Sequence, residues 1–295
     1  MKIAVFDDFQ VGLVEGEQVW NVTSAFPEFL RTLPQQRINW LIANWEQTRD
    51  KLLQAQQAAS PQAVSSVCLL APNPAPPHVF AAPANYQKHI GELGERAVVK
   101  KGRSAREQGF FLKAPASLIG ASQAILLPKG STRRFDHESE LAVIIGKGGR
   151  NIPRDQAMQH VFGYACLIDA TMRIEPGVAE EERSMRKSFE SFTPLGPYIV
   201  TADEVPSPET LSNRLWVNDQ PRQSANTSEL IVGIAELIEL ISSVLPLQPG
   251  DVIATGTPEG VGQFVPGDTV RIEIESVGSM TLAVTEHQVQ APRPY

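Results

Sequence analysis

Beyond residue 109 the chain is cut into short apolar runs, and no other feature limits its fold as strongly. GFFLK, AILLP, ELAVIIG, HVFGYACLID, LGPYIVT, RLWVND, DVIATG, DTVRIEIES and MTLAVTEH follow one another, punctuated by Gly, Pro and Asp. β-branched and aromatic residues suit a pleated, half-buried surface, and such punctuation marks turns. One segment differs. SELIVGIAELIELISSVL sets Leu230, Ile231, Ile234, Leu237, Ile238 and Ile241 at helical spacing, a face made to lie on a sheet. Regular strand–helix alternation is absent, as are a Walker A run and Gly-x-Gly-x-x-Gly. A doubly wound nucleotide-binding sheet is therefore not expected. The expected class is mainly β with few helices, α+β.

The first third has another texture. MKIAVF and GEQVWNVT read as two short strands, and residues 35–66, with Trp40, Leu41, Trp45, Leu52 and Leu53, read as one or two helices. Prolines at 72, 74, 76, 77 and 83 then rule out regular structure through that stretch. The expected division is a small N-terminal α/β domain over 1–72, an extended linker over 73–84 and a second domain over 85–295.

Charge and cysteine content narrow the function. Lys plus Arg is 26 and Asp plus Glu is 33, a net charge of −7. Nucleic acid or an anionic membrane is a poor partner for such a surface. The one dense basic run, Arg96, Lys100, Lys101, Arg103 and Arg106, is local. Cys68 and Cys166 stand far apart and form no Cys-x-x-Cys pair, which favours a reducing compartment. Neither a signal-like start nor a membrane-length apolar run is seen, so a cytoplasmic protein is expected.

Five places carry chemistry. In Asp136-His137-Glu138-Ser139-Glu140-Leu141 the two-residue repeat of a strand puts Glu138 and Glu140 on one face, with Ala142 and Ile144 beyond. Adjacent carboxylates repel, and a hard divalent cation relieves that repulsion; a solvated strand edge is the competing reading. His137 alternates away, toward packing. Asp169 ends the run GYACLID, where it either joins that site or caps a turn. His89 and Glu92 are i and i+3, neighbours on a helix; a carboxylate beside an imidazole suits a water-activating base, though a solvated pair has the same spacing. Flanked by prolines and a basic, glycine-containing run, residues 86–108 are expected to act as a lid. Arg183, Arg186 and Lys187 read as a solvated turn or partners for Glu180–Glu182, with Lys187 able to face an anion. PGDVIATGTPEGVG is a strand entering a Gly-rich turn, whose N–H groups, Gly256 among them, suit a carboxylate or oxyanion.

In order and content these motifs resemble the fumarylacetoacetate hydrolase family, of the acylpyruvase and 2-hydroxyhepta-2,4-diene-1,7-dioate isomerase type. The matching strings are NYQKH with Glu92, FFLKAPAS at 110–117, HESELAVIIGK at 137–147, FGYACLIDATMR at 162–173, RKSFESFTPLGPYIVTADEV at 186–205 and PGDVIATGTPEGVG at 249–262, spanning roughly 78–290. The resemblance implies a mixed β-sandwich roll, a homodimer, and Mg²⁺ (or Mn²⁺ or Ca²⁺) on Glu138, Glu140 and Asp169. It implies catalytic roles for His89, Glu92 and Lys187, and substrate contacts from Tyr86, Arg173, Gly256 and Thr257. The implied substrate is a β-dicarbonyl or acylpyruvate-type 2-oxo acid. The implied reaction is hydrolysis of its C–C bond through an enolate, with His89 activating water; isomerisation or decarboxylation is the alternative. A non-catalytic binding protein is disfavoured, since a binder need not keep both metal and base. Ile168, Pro176 and Glu190 stand where many members have Asn, Gln and Asp, so the substrate pocket departs from the common pattern.

Overall fold

A computed structural model describes residues 1–93, 103–175, 177 and 180–290. Its largest sheet has twelve strands. At its centre Ser139–Ile145 pairs antiparallel with Val161–Ile168, which pairs antiparallel with Thr193–Thr201. Both faces of these strands are covered, which is why they read as nearly continuous apolar runs. Their side chains alternate between two cores. Leu141, Val143, Ile145, Cys166 and Ile168 enter one core cluster; Ala142, Ile144, Ala165 and Leu167 enter another. A five-stranded sheet that includes Ser212–Val217, Gln220–Asn226, Thr269–Ile274 and Gly278–Glu286 packs on the first cluster, and a three-stranded sheet holds Phe135–His137. Strands predominate and helices are few, as the runs require.

Three details differ from the sequence reading. The N-terminal segment has three strands rather than two, Lys2–Phe6, Gln10–Glu15 and Gln18–Asn21, followed by helices Arg37–Ala43 and Trp45–Ala58. Lys2–Phe6 pairs with Thr193–Thr201, so the large sheet joins the N-terminal segment to the central strands. Residues 73–84, expected to be a linker, are drawn into that sheet. Val79–Ala81 is buried between Val252–Ala254, to which it runs parallel, and Phe111–Lys113. The prolines flank this strand and leave its N–H groups free to pair.

The apolar helix spans Ile234–Val244 and buries Ile234, Leu237, Ile238 and Ile241. It starts later than its periodicity suggests. Asn85 is fully buried and holds both the N–H and C=O of Val232, at 2.9 Å each, which takes residues 230–232 out of the helix. The Asn85 Nδ2 also donates to Thr255 O at 2.8 Å, tying this segment to the strand end that enters the Gly-rich turn. Among the described residues no helix is long and apolar enough to cross a membrane.

Candidate active site

The carboxylates meet because of strand register. Ser139 is paired with Ile168. One residue beyond that pair, Glu138 and Asp169 leave their strands side by side, and the Asp169 N–H donates to Glu138 O at 2.8 Å. Glu140 follows two residues along. Glu138, Glu140 and Asp169 each offer an oxygen, all three within 4.8 Å of one another, and all three residues are buried.

Cations are distributed unevenly around them. Lys187 Nζ donates to Glu138 Oε2 at 2.7 Å, Asp169 Oδ2 at 2.5 Å and Thr171 Oγ1 at 2.7 Å. Arg173 bridges Glu138 Oε1 at 2.6 Å and Asp136 Oδ2 at 2.7 Å. Burial alone would raise the Glu138 carboxyl, but Lys187 and Arg173 outweigh it and hold it far below the usual carboxylate range. Glu140 has the opposite fate. Burial and the charges of Asp169 and Glu138 push it well above its ordinary value, and its hydrogen bond comes from the Gly256 N–H at 2.7 Å. Three oxygen donors, one of them short of positive charge, match a hard divalent cation.

The other expected residues surround this cluster. His89 and Glu92 lie on the helix Gln87–Leu93, with His89 Nδ1 3.4 Å from Glu92 Oε2. His89 is buried. Glu92 is steered from the other side by the Gly260 N–H, 3.1 Å from both its oxygens. Tyr86 is buried; burial first, then Glu140, raises its phenol, and its hydroxyl makes no hydrogen bond of good geometry among the described residues. Thr257 is buried, and its hydroxyl accepts from Gln223 Nε2 at 2.8 Å. The Gly-rich turn does hold carboxylates, but the chain's own: Gly256 serves Glu140 and Gly260 serves Glu92. Glycine is required at 256, where φ is +100° and a Cβ would stand 2.6 Å from the Asn85 Cβ.

Two buried side chains were not singled out from the sequence. Lys113, inside the string FFLKAPAS, donates to Asp169 Oδ1 at 2.5 Å and also to the Lys187 and Phe192 carbonyls. Burial lowers its ammonium pKa, against the pull of Asp169. A lysine in an otherwise apolar run is the signal that marks it. Gln223 accepts from the Ser139 N–H at 3.0 Å, lies 3.2 Å from His137 Nδ1, and donates to Thr257 and to Pro258 O at 2.9 Å. His137 faces away from the carboxylates, over the Phe264 ring. Arg183 and Arg186 are half-buried rather than solvated. Of the basic run, Arg96, Lys100 and Lys101 lie outside the described residues, as do all of residues 94–102 of the expected lid; Pro176 lies outside them too.

With this geometry in hand, comparison with known proteins is specific. The profile of the Fumarylacetoacetate (FAA) hydrolase C-terminal family matches residues 78–285. A protein of Aquipseudomonas alcaligenes named maleylpyruvate hydrolase is 41% identical over 292 residues, covering 96% of this chain and 99% of its own. The crystal structure of maleylpyruvate hydrolase from Sphingobium sp. SYK-6 in complex with manganese(II) and pyruvate superposes with a TM-score of 0.83 at 38% identity, over 98% of this chain and 100% of that one. A probable 2-hydroxyhepta-2,4-diene-1,7-dioate isomerase from Mycobacterium abscessus superposes with a TM-score of 0.79 at 30% identity, over 98% and 99% of the two chains.

Proposed function

The chain belongs to the fumarylacetoacetate hydrolase family, and from that premise we propose that it hydrolyses a C–C bond in an acylpyruvate-type 2-oxo acid with the help of a divalent metal. The observation that carries the proposal is a buried cluster of three carboxylates, one of which, Glu140, has no ion-pair partner among the described residues, together with a buried His89 whose Nδ1 turns to the exposed Glu92. A maleylpyruvate hydrolase among its relatives, and another seen with manganese and pyruvate, support it.

Glu138, Glu140 and Asp169 would hold the ion, which when bound supplies Lewis acidity toward the oxygens of a 2-oxo acid. We take the ion to be Mg²⁺, with Mn²⁺ and Ca²⁺ compatible with the same oxygen donors, and the protein to be a cytoplasmic homodimer. His89, with Nδ1 turned to Glu92, presents Nε2 as the base that takes a proton from water. That water adds to the carbonyl of the acyl arm. The C–C bond then breaks with its electron pair on the pyruvate carbon, and the Lys187 ammonium balances the enolate charge that develops. The proton that His89 took from water, returned to that carbon, completes pyruvate. Tyr86, Arg173 and Thr257 line the place where substrate is held, while Gly256 acts on substrate only through Glu140.

The second reading is isomerisation or decarboxylation through the same enolate, favoured by the isomerase-named structure of the same fold. Product analysis in ¹⁸O-labelled water separates the two. Manganese-loaded protein given maleylpyruvate should release pyruvate and a carboxylic acid carrying the label; an unlabelled isomer as sole product overturns the hydrolase reading. His89→Ala should lower cleavage by about 10²–10⁴-fold. Lys187→Ala should damage cleavage and oxaloacetate decarboxylation alike.

A further inference from the structure

Arg183 opens the four-residue helix Arg183–Arg186, which runs directly into Lys187. Its guanidinium carbon lies 5.3 Å from the centre of the Phe111 ring, and Lys187 Nζ lies 5.4 Å from the centre of that same ring. One aromatic side chain thus carries both cations. Through Lys187, which touches Glu138 and Asp169, it links Arg183 to the carboxylate cluster.

Neighbouring arginines have their partners. Arg133 pairs with Glu181 at 2.8 Å, and Arg173 with Asp136 and Glu138. Arg186 donates to the carbonyls of Glu181 and Met172, at 2.9 and 3.1 Å. Arg183 is different. Among the described residues no carboxylate pairs with it, and its side-chain hydrogen bond is a single one, from Nη2 to Gln108 Oε1 at 3.1 Å. A guanidinium has five N–H groups in a planar fork shaped for a carboxylate. Half-burying it costs solvation that one amide bond does not repay. Burial opposes its charge here, while Glu138 and Asp169 favour it from a distance.

We propose that Arg183 is a specificity residue that receives a second carboxylate, at the far end of the acyl arm, when the 2-oxo acid end of a substrate sits at Glu138, Glu140 and Asp169. A substrate that carries such a second carboxylate is then preferred to its counterpart that ends in a methyl group. This rests on the reading of the site as one for 2-oxo acids, though not on which reaction follows.

The test is binding to manganese-loaded protein by calorimetry, with 2-oxoadipate and 2-oxohexanoate as probes. The two differ only in whether the chain ends in a carboxylate or a methyl group. The wild type should bind the diacid about tenfold to a hundredfold more tightly, the range of a charged hydrogen-bonded pair. Arg183→Gln should abolish the preference, and Arg183→Lys should keep part of it, because charge remains while the fork is lost. The ratio of the two affinities within each variant cancels any general weakening of the site. A wild type without preference, or a preference that survives Arg183→Gln, overturns the assignment. A wild type that binds neither acid overturns the 2-oxo-acid reading and this assignment with it. Failure of hydrolysis alone appears only in the labelled-water experiment and leaves the binding ratio standing.

Discussion

Glu140 is the residue at which metal, proton and fold are linked. In the metal-free chain burial and its two acidic neighbours raise its pKa. Between the ordinary carboxylate value and that raised one, folded Glu140 keeps a proton that the unfolded chain has shed. Its contribution therefore destabilises the metal-free fold as pH rises through that window. Glu138, held low, contributes stability above the ordinary carboxylate range that is lost as pH falls toward its depressed value. Metal binding must expel the Glu140 proton, so affinity should rise with pH and binding should release a proton. Calorimetric titration of Mn²⁺ in buffers of different ionisation enthalpy measures this directly; the absence of any proton release above the ordinary carboxylate range would contradict it. Glu140→Gln should remove the pH dependence and weaken Mn²⁺ by about tenfold or more. This residue was legible in the sequence, because the two-residue repeat fixes which face it shares with Glu138. Its protonation was not, because that depends on Asp169 arriving from another strand.

At the scale of elements, the hairpin Ser212–Val217 and Gln220–Asn226 joins the site to the second sheet. Its turn residues, Asn218 and Asp219, have φ of 50° and 61°, the signature of a tight hairpin turn with both central residues left-handed. The polar second strand, QPRQSAN, offers no apolar alternation, and the sequence reading does not include it. Its one fully buried side chain is Gln223. Gln223→Ala should leave the Ser139 N–H and the Pro258 carbonyl unpaired, at a cost of about 1–3 kcal/mol for each group left unsatisfied. Urea unfolding measures that loss. An unchanged midpoint would mean that water or a neighbour replaces the amide. The helix Ile234–Val244 teaches the complementary lesson: periodicity located its face, while a buried Asn85 decided where it begins.

For the whole molecule, the consequence of the shared sheet is that residues 1–72 are not an appendage. Ile3, Val5, Phe26, Phe29, Ile38 and Leu41 belong to the same core cluster as Ala142, Ile144, Ala165 and Leu167 of the central strands. Removing residues 1–72 would uncover that cluster and leave the Thr193–Thr201 strand without its Lys2–Phe6 neighbour. The shortened chain should therefore melt at lower temperature and associate through its exposed sheet. Size-exclusion chromatography and thermal unfolding of the two forms would show this; equal melting and equal elution behaviour would establish 1–72 as an independent unit.

Legible in the amino-acid order alone were the strand-rich class, the helical face over 234–241, the same-side pair Glu138 and Glu140, and the i,i+3 relation of His89 and Glu92. All of these follow from periods of two or about four residues, which a chain writes locally. Strand packing brings Asp169 beside Glu138, lets Lys113 and Lys187 share Asp169, makes Gln223 bridge Ser139 to Thr257, and seats Arg183 on the Phe111 ring without a carboxylate partner among the described residues. Those contacts join residues far apart along the chain. They depend on strand register and burial, quantities that exist only once the sheets have formed.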